Sequence, residues 1–192
     1  MRRLICLTML ACAGCGDAIP ARLSSDPFPA PIEATQDVIA VNFVEFAALP
    51  DAGGEAARMM HLLDEPQTQR LFVSTMPGML YSISYDGKTV TPYLDMNATN
   101  WGIGVQSSSR ERGVQSFAFH PEFGRQGMPG YGKFYTYLDT SNTKAKADFA
   151  TPGNDRPHDT VLLEWTAKDA AAAIYDGGPP REIFRAAQPF PN

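Results

Sequence analysis

An all-β fold made of two successive four-stranded units is what this 192-residue sequence predicts, on three observations. Several short runs alternate apolar and polar residues with period two, the repeat of a strand with one buried face. Turn dipeptides such as Pro77-Gly78 and Asp86-Gly87 separate those runs, in a chain with 16 glycines and 16 prolines. A set of four such runs is followed, after a long polar stretch, by a second set of four.

The N-terminus is of a different kind. It reads Met1-Arg2-Arg3, then an apolar run from Leu4 to Ala13, then Gly14-Cys15-Gly16-Asp17. Two cations, a short apolar core and a small residue before a cysteine make an export signal. The apolar run is about ten residues, and crossing a bilayer takes ~20, so a permanent transmembrane helix is not expected. The pattern resembles a bacterial lipoprotein signal cut after Gly14, with Cys15 acylated, although Cys12 stands where that pattern usually has leucine. Cys12 and Cys15 also have the C-x-x-C spacing of redox motifs, but inside the apolar signal and far from any βαβ unit. The expected organisation is a signal peptide over 1–14, a flexible tether over 15–40 and a folded domain over 41–192. Pro20, Pro27, Pro29 and Pro31 suit a spacer that lifts a domain off a membrane; an ordinary unstructured terminus is the alternative. The expected location is therefore outside the cytoplasm, as a periplasmic or cell-surface lipoprotein.

The first four strands are expected over 58–63, 69–75, 79–85 and 88–94, the last pair joined by Asp86-Gly87, a dipeptide of two-residue hairpins. The second four are expected over 115–120, 133–138, 160–165 and 181–185, with polar loops over 97–112 and 139–158. The alanines of 170–173 allow a helical turn that Gly177-Gly178-Pro179-Pro180 ends at once. Consecutive four-strand meanders point to a β-propeller, with a sandwich as the competing architecture. A ring closes with ~4–8 blades, so two units read as the first part of a longer protein.

Composition sets limits on function. The chain is 44% hydrophobic and 19% charged, enough apolar content for a real core. Its formal net charge is −5, and it grows more negative if Arg2 and Arg3 leave with the signal. No basic face is available for phosphates, so nucleic acid is not an expected partner.

One stretch carries a resemblance. Glu111-Arg112-Gly113-Val114-Gln115-Ser116-Phe117-Ala118-Phe119-His120-Pro121-Glu122-Phe123 continues to Gly130-Tyr131-Gly132-Lys133-Phe134-Tyr135, and Gln188-Pro189-Phe190-Pro191-Asn192 follows later. This is similar to the soluble glucose/sorbosone dehydrogenase family, across roughly 58–192, with Val114-Gln115-Ser116 departing from the family's usual apolar and glycine residues. The resemblance implies a six-bladed β-propeller, of which this chain would be the first two blades, and the cofactors pyrroloquinoline quinone (PQQ) and Ca²⁺. It implies a histidine general base on the sugar's anomeric hydroxyl, immediately after a Pro-Phe-Pro-Asn-like segment. By that measure no catalytic residue falls within this chain, and the residues holding PQQ and Ca²⁺ lie beyond Asn192. One position maps onto a family site: Glu111 stands where the family places a sugar-contacting glutamine or glutamate. A surface ion pair of Glu111 with Arg110 or Arg112 is the plain alternative.

Other candidates are weaker. His120 precedes Pro121 and is expected to cap a turn. His61 and His158 have no neighbours at metal-ligand spacing. Gly102-Ile103-Gly104 lacks the third glycine of a dinucleotide loop. Trp101 is either a sugar-stacking platform or a tryptophan packed between blades. The expected function is PQQ-dependent oxidation of an aldose or related alcohol, with a sugar substrate, an unspecified electron acceptor and membrane contact only through the lipid. A non-catalytic binding propeller is the alternative, and a metal-dependent lactone hydrolase a third.

Overall fold

A computed structural model of the chain describes residues 41–108, 111–150, 152 and 155–190. The three cysteines, Arg110 and Asn192 lie outside the described residues. Eight strands follow in order: β1 (Met59–Glu65), β2 (Arg70–Thr75), β3 (Met79–Ser84), β4 (Val90–Asp95), β5 (Val114–Phe119), β6 (Lys133–Thr140), β7 (His158–Thr166) and β8 (Arg181–Gln188). They form two antiparallel sheets, ordered β1-β2-β3-β4 and β5-β6-β7-β8. The all-β expectation and the division into two four-stranded units are both met. Each sheet is a sequential meander and no strand changes sheets, the arrangement of successive propeller blades and not of a Greek-key sandwich.

Alternation explains the stacking. Phe134, Thr136 and Leu138 on β6, with Val161, Leu163 and Trp165 on β7, turn one face of the second sheet inward. They meet Phe72, Leu80, Tyr93 and Leu94 of the first sheet in one buried cluster. Phe134 stacks on Trp165 with centroids 6.1 Å apart and planes at 9°. Phe72 of the first sheet packs edge-on against Phe119 of the second at 4.8 Å. The indole N–H of Trp165 is satisfied by Thr136 Oγ1 at 2.9 Å, so the largest core side chain is buried without an orphan donor. Trp101, in a short 3₁₀ turn (Thr99–Trp101), packs at 88° against Trp165 and donates to the Asp95 carbonyl at 2.8 Å. It is thus an inter-sheet tryptophan.

Side chains also lock the sheets together. Arg70 on β2 reaches the turn after β7 and donates to the carbonyls of Ala172 (2.9 Å) and Ala170 (2.6 Å), with its guanidinium over the Phe72 ring. This is the alanine run that allowed a helix; it forms a turn held from the other sheet. Val73, Tyr81 and Ile83 alternate out of phase with the cluster and are buried all the same. Residues from Pro50 to Arg58 lie against this far face beside Thr75, Met79 and Tyr81. The far face of the second sheet is more open, with Tyr137, Leu162 and Phe184 in one cross-strand row.

Three local readings need correction. The Asp86-Gly87 turn is wider than a two-residue hairpin: Ser84 N–H bonds the Thr89 carbonyl, and only Gly87 of the pair takes a positive φ, +72°. Asp86 instead accepts from Ser84 Oγ at 2.6 Å and Lys88 N–H at 3.1 Å, which stabilises a four-residue loop. The polar stretch 139–158 is not loop throughout, because Asp139 and Thr140 extend β6 while His158 and Asp159 begin β7. β8 runs on to Gln188, opposite His158.

Candidate functional site

Those unexpected strand ends build the site. The N-terminus of β5, the C-terminus of β6, the N-terminus of β7 and the C-terminus of β8 meet at one end of the second sheet. They border an open cleft of about 300 Å³ lined by Glu111, Arg112, Gln115, Tyr137, Asp139, His158, Thr160 and Gln188.

The loop entering β5 is fixed by close approach. Gly113 has φ +136°, and a Cβ there would stand 2.3 Å from the Met76 carbonyl oxygen of the first sheet. Only glycine lets the chain pass, and Val114 N–H then bonds that same oxygen at 2.9 Å. This anchors Glu111 two residues upstream. Gln115 adds a second hold, its side-chain amide donating to the Glu111 carbonyl at 2.7 Å.

Beneath the cleft lies a buried polar layer. Asp139 is 6% exposed. Its Oδ1 accepts from Thr160 Oγ1 at 2.7 Å, and its Oδ2 accepts from Gly113 N–H and Gln115 Nε2, each at 3.2 Å. Thr160 Oγ1 in turn accepts from Gln188 Nε2 at 2.8 Å. His158 is 2% exposed, its Nε2 lies 3.8 Å from Asp139 Oδ1, and its Nδ1 has no hydrogen-bond partner among the described residues. Burial holds the His158 pKa below the ordinary imidazole value; Asp139 opposes that shift and Arg112 adds to it. One strand position further in, Asp159 is wholly buried between Arg185 and Arg156, each 2.5 Å away. Arg185 also donates to Glu182 and to the Asn142 carbonyl, so it ties the 142–149 loop to β8.

Of the residues singled out from sequence, Glu111 lies in the cleft, and Gln188 of the tail motif joins it from 77 positions away. His120 sits at the opposite end of β5, its Nδ1 accepting from Glu122 N–H at 3.1 Å in the turn it was expected to cap. The sequence places His158 at the end of a polar loop; it is a buried strand residue of the cleft, beside Asp139 and Thr160, for which the sequence carries no site motif. Among the described residues no group of three or more His, Cys, Asp or Glu is arranged to hold a metal ion. The cleft sets one guanidinium, Arg112, against the carboxyl groups of Glu111 and Asp139, a poor match for a quinone bearing several carboxylates. The described residues therefore do not by themselves fit PQQ.

The chemistry this arrangement supports is hydrogen bonding to a polar ligand. It offers carboxylate and amide acceptors, amide and guanidinium donors, and the Tyr137 ring as an apolar wall. The fold and the site thus define an all-β protein of two stacked meander sheets with a polar cleft at one end.

No protein-family model matches the sequence, and no curated protein matches it. Solved structures similar to it include a glucose dehydrogenase, 16% identical with a TM-score of 0.48, over 70% of this chain and 34% of that one. The PQQ-bound aldose sugar dehydrogenase of Streptomyces coelicolor is 16% identical with a TM-score of 0.48, over 76% and 34%. The apo-form of the soluble aldose sugar dehydrogenase of Escherichia coli is 13% identical with a TM-score of 0.44, over 67% and 30%. The chain spans about a third of the length of these structures.

Proposed function

We propose that this chain supplies the first two blades and part of the sugar-binding wall of an exported quinoprotein that oxidises an aldose or related alcohol. One observation carries the reading. The two separated pieces of the dehydrogenase-like motif, Glu111 before β5 and Gln188 at the end of β8, converge on one polar cleft. In this reading the Glu111 carboxylate accepts hydrogen bonds from sugar hydroxyls. PQQ with Ca²⁺ would supply the oxidising chemistry, and the described residues of this cleft are not the ones that would hold it.

The test uses the full natural chain supplied with PQQ and Ca²⁺. Glu111→Ala is expected to weaken D-glucose use about tenfold or more while leaving the affinity for PQQ within about twofold, since each lost factor of ten is about 1.4 kcal/mol, the worth of one good hydrogen bond to a charged group. Failure of the full chain to bind PQQ or oxidise reducing sugars would move the assignment to a cell-surface binding propeller that uses the same cleft without redox chemistry.

For location, we infer that residues 1–14 are a signal, that 15–40 form the tether and that Cys15 carries the lipid, from the Arg2-Arg3 start and the Gly14-Cys15 junction. Mass spectrometry of the mature N-terminus should find an acylated Cys15, and Cys15→Ser should release the protein from the membrane. An unmodified chain beginning elsewhere refutes the anchor.

A further inference from the structure

We propose that Asp139 is the positioning residue of this cleft, holding the Glu111 loop in register with the end of β8. The proposal rests on the reading of Glu111 given above and adds a residue that the motif does not contain. Four pieces of chain border the cleft, and all of them are joined through this one carboxyl group. The loop before β5 is bound through Gly113 N–H, and β5 through Gln115 Nε2, both on Oδ2. Strand β7 is bound through Thr160 Oγ1 on Oδ1, and β8 joins through Gln188 Nε2 on Thr160. The Gln115 amide spends one proton on Asp139 and the other on the Glu111 carbonyl, so the contact with Glu111 is one bond removed.

The choice of residue is informative. Asp139 is 6% exposed, and among the described residues no guanidinium or ammonium forms an ion pair with it. A buried carboxylate without a cation is costly unless donors surround it. Here three neutral donors do so from three different strands and loops, and an ionised carboxylate is the only small side chain that accepts on both of its oxygens. Its backbone joins the same construction: Asp139 N–H bonds the Gly113 carbonyl at 2.9 Å. The residue thus clamps Gly113 from both sides, and Glu111 projects two positions away. A carboxylate that recognises sugar hydroxyls has to be held to a fraction of an ångström, because small misplacements in a site lose large factors.

The experiment is a double-mutant cycle in the full natural chain, with D-glucose as the probe in titration calorimetry and with amide hydrogen exchange of Gly113 as a second readout. Asp139→Ala should weaken glucose binding about tenfold and speed Gly113 exchange by a similar factor. Asp139→Asn should keep most of both, because its carbonyl still accepts from Gly113 and Gln115 while its amide donates to Thr160 Oγ1. In the Glu111→Ala background Asp139→Ala should cost nothing more, since it acts through Glu111. Where Asp139→Ala does not fold, Thr160→Val removes the Oδ1 bond and the Gln188 link and should show a smaller loss of the same kind. Additive effects of the two alanine variants, or unchanged Gly113 exchange in Asp139→Ala, overturn the proposal. So does a melting temperature that falls with no change in glucose binding. If Glu111→Ala leaves glucose binding intact, the sugar reading has failed, and the exchange measurement alone decides the role of Asp139.

Discussion

His158 Nε2 lies 3.8 Å from Asp139 Oδ1, with both side chains almost wholly out of solvent and His158 Nδ1 without a hydrogen-bond partner among the described residues. The distance is too long for a hydrogen bond, so the pair is neighbouring and not yet joined.

That relationship gives stability a pH dependence of definite sign. Burial lowers the folded-state pKa of His158, so the unfolded chain takes up the proton first as pH falls. Stability should be flat above the unfolded imidazole value, ~6.5. It should drop as pH falls from there toward the lowered folded value, by up to about 1.4 kcal/mol per pH unit. Below the folded value this contribution stops changing. Melting temperatures between pH 7.5 and 5 should show the fall, and His158→Asn should flatten it. An unchanged slope in the variant would mean that another group carries it.

At Gly113 the chain entering β5 passes directly against the Met76 carbonyl of the first sheet. Gly113→Ala adds both a side chain at φ +136° and a Cβ 2.3 Å from the Met76 oxygen. Strained backbone of this kind costs of order 1–3 kcal/mol before the clash is counted. A fall in melting temperature of roughly 4–12 °C is expected for a unit of this size. Gly178→Ala, where the added methyl meets nothing within 4 Å, should move it little.

Arg185 is 5% exposed, and its Nη1 lies 2.5 Å from the fully buried Asp159. Removing one partner of such a pair strands the other, at about 3–5 kcal/mol. Arg156 still reaches Asp159, which places Arg185→Ala at the lower end, about 3 kcal/mol by urea denaturation. Because the Arg185 side chain also holds the Asn142 carbonyl, the variant should expose the start of the 142–149 loop to proteolysis, while the bond from the Arg185 backbone N–H to Asp148 is kept. Asp159→Asn combined with Arg185→Met should recover part of the loss; no recovery would place the energy in the loop contacts and not in the charge pair.

The strand cores were legible because their information is local. In β3, Leu80, Ser82 and Ser84 alternate with Tyr81 and Ile83, and in β6 Phe134, Thr136 and Leu138 alternate with Tyr135 and Tyr137. Period two along a few residues suffices to say strand and to say which residues share a face. The motif from Glu111 to Phe123 was legible for the same reason: its residues are consecutive. The Asp86-Gly87 turn was placed correctly and sized wrongly, because Ser84 and Lys88 offered Asp86 hydrogen bonds that a two-residue hairpin would have forgone.

The cleft depended on pairings that no local window contains. Asp139-Thr140 and His158-Asp159 are consecutive polar residues with no alternation, so by themselves they read as loop. They are strand because Asp139 faces Thr160, Thr140 faces Asp159 and His158 faces Gln188 across the ladder. Asp139 and Asp159 are buried because Thr160 and Arg185 satisfy them across 21 and 26 residues of sequence, and Thr140 because the Ile103 carbonyl does so across 37. A polar side chain can leave water only when its partner is already in place, and only the folded sheet brings that partner to it. The sequence alone therefore determined two four-stranded sheets and Glu111, whose information is local, while the tertiary structure decided that Asp139, His158, Thr160 and Gln188 would stand around it.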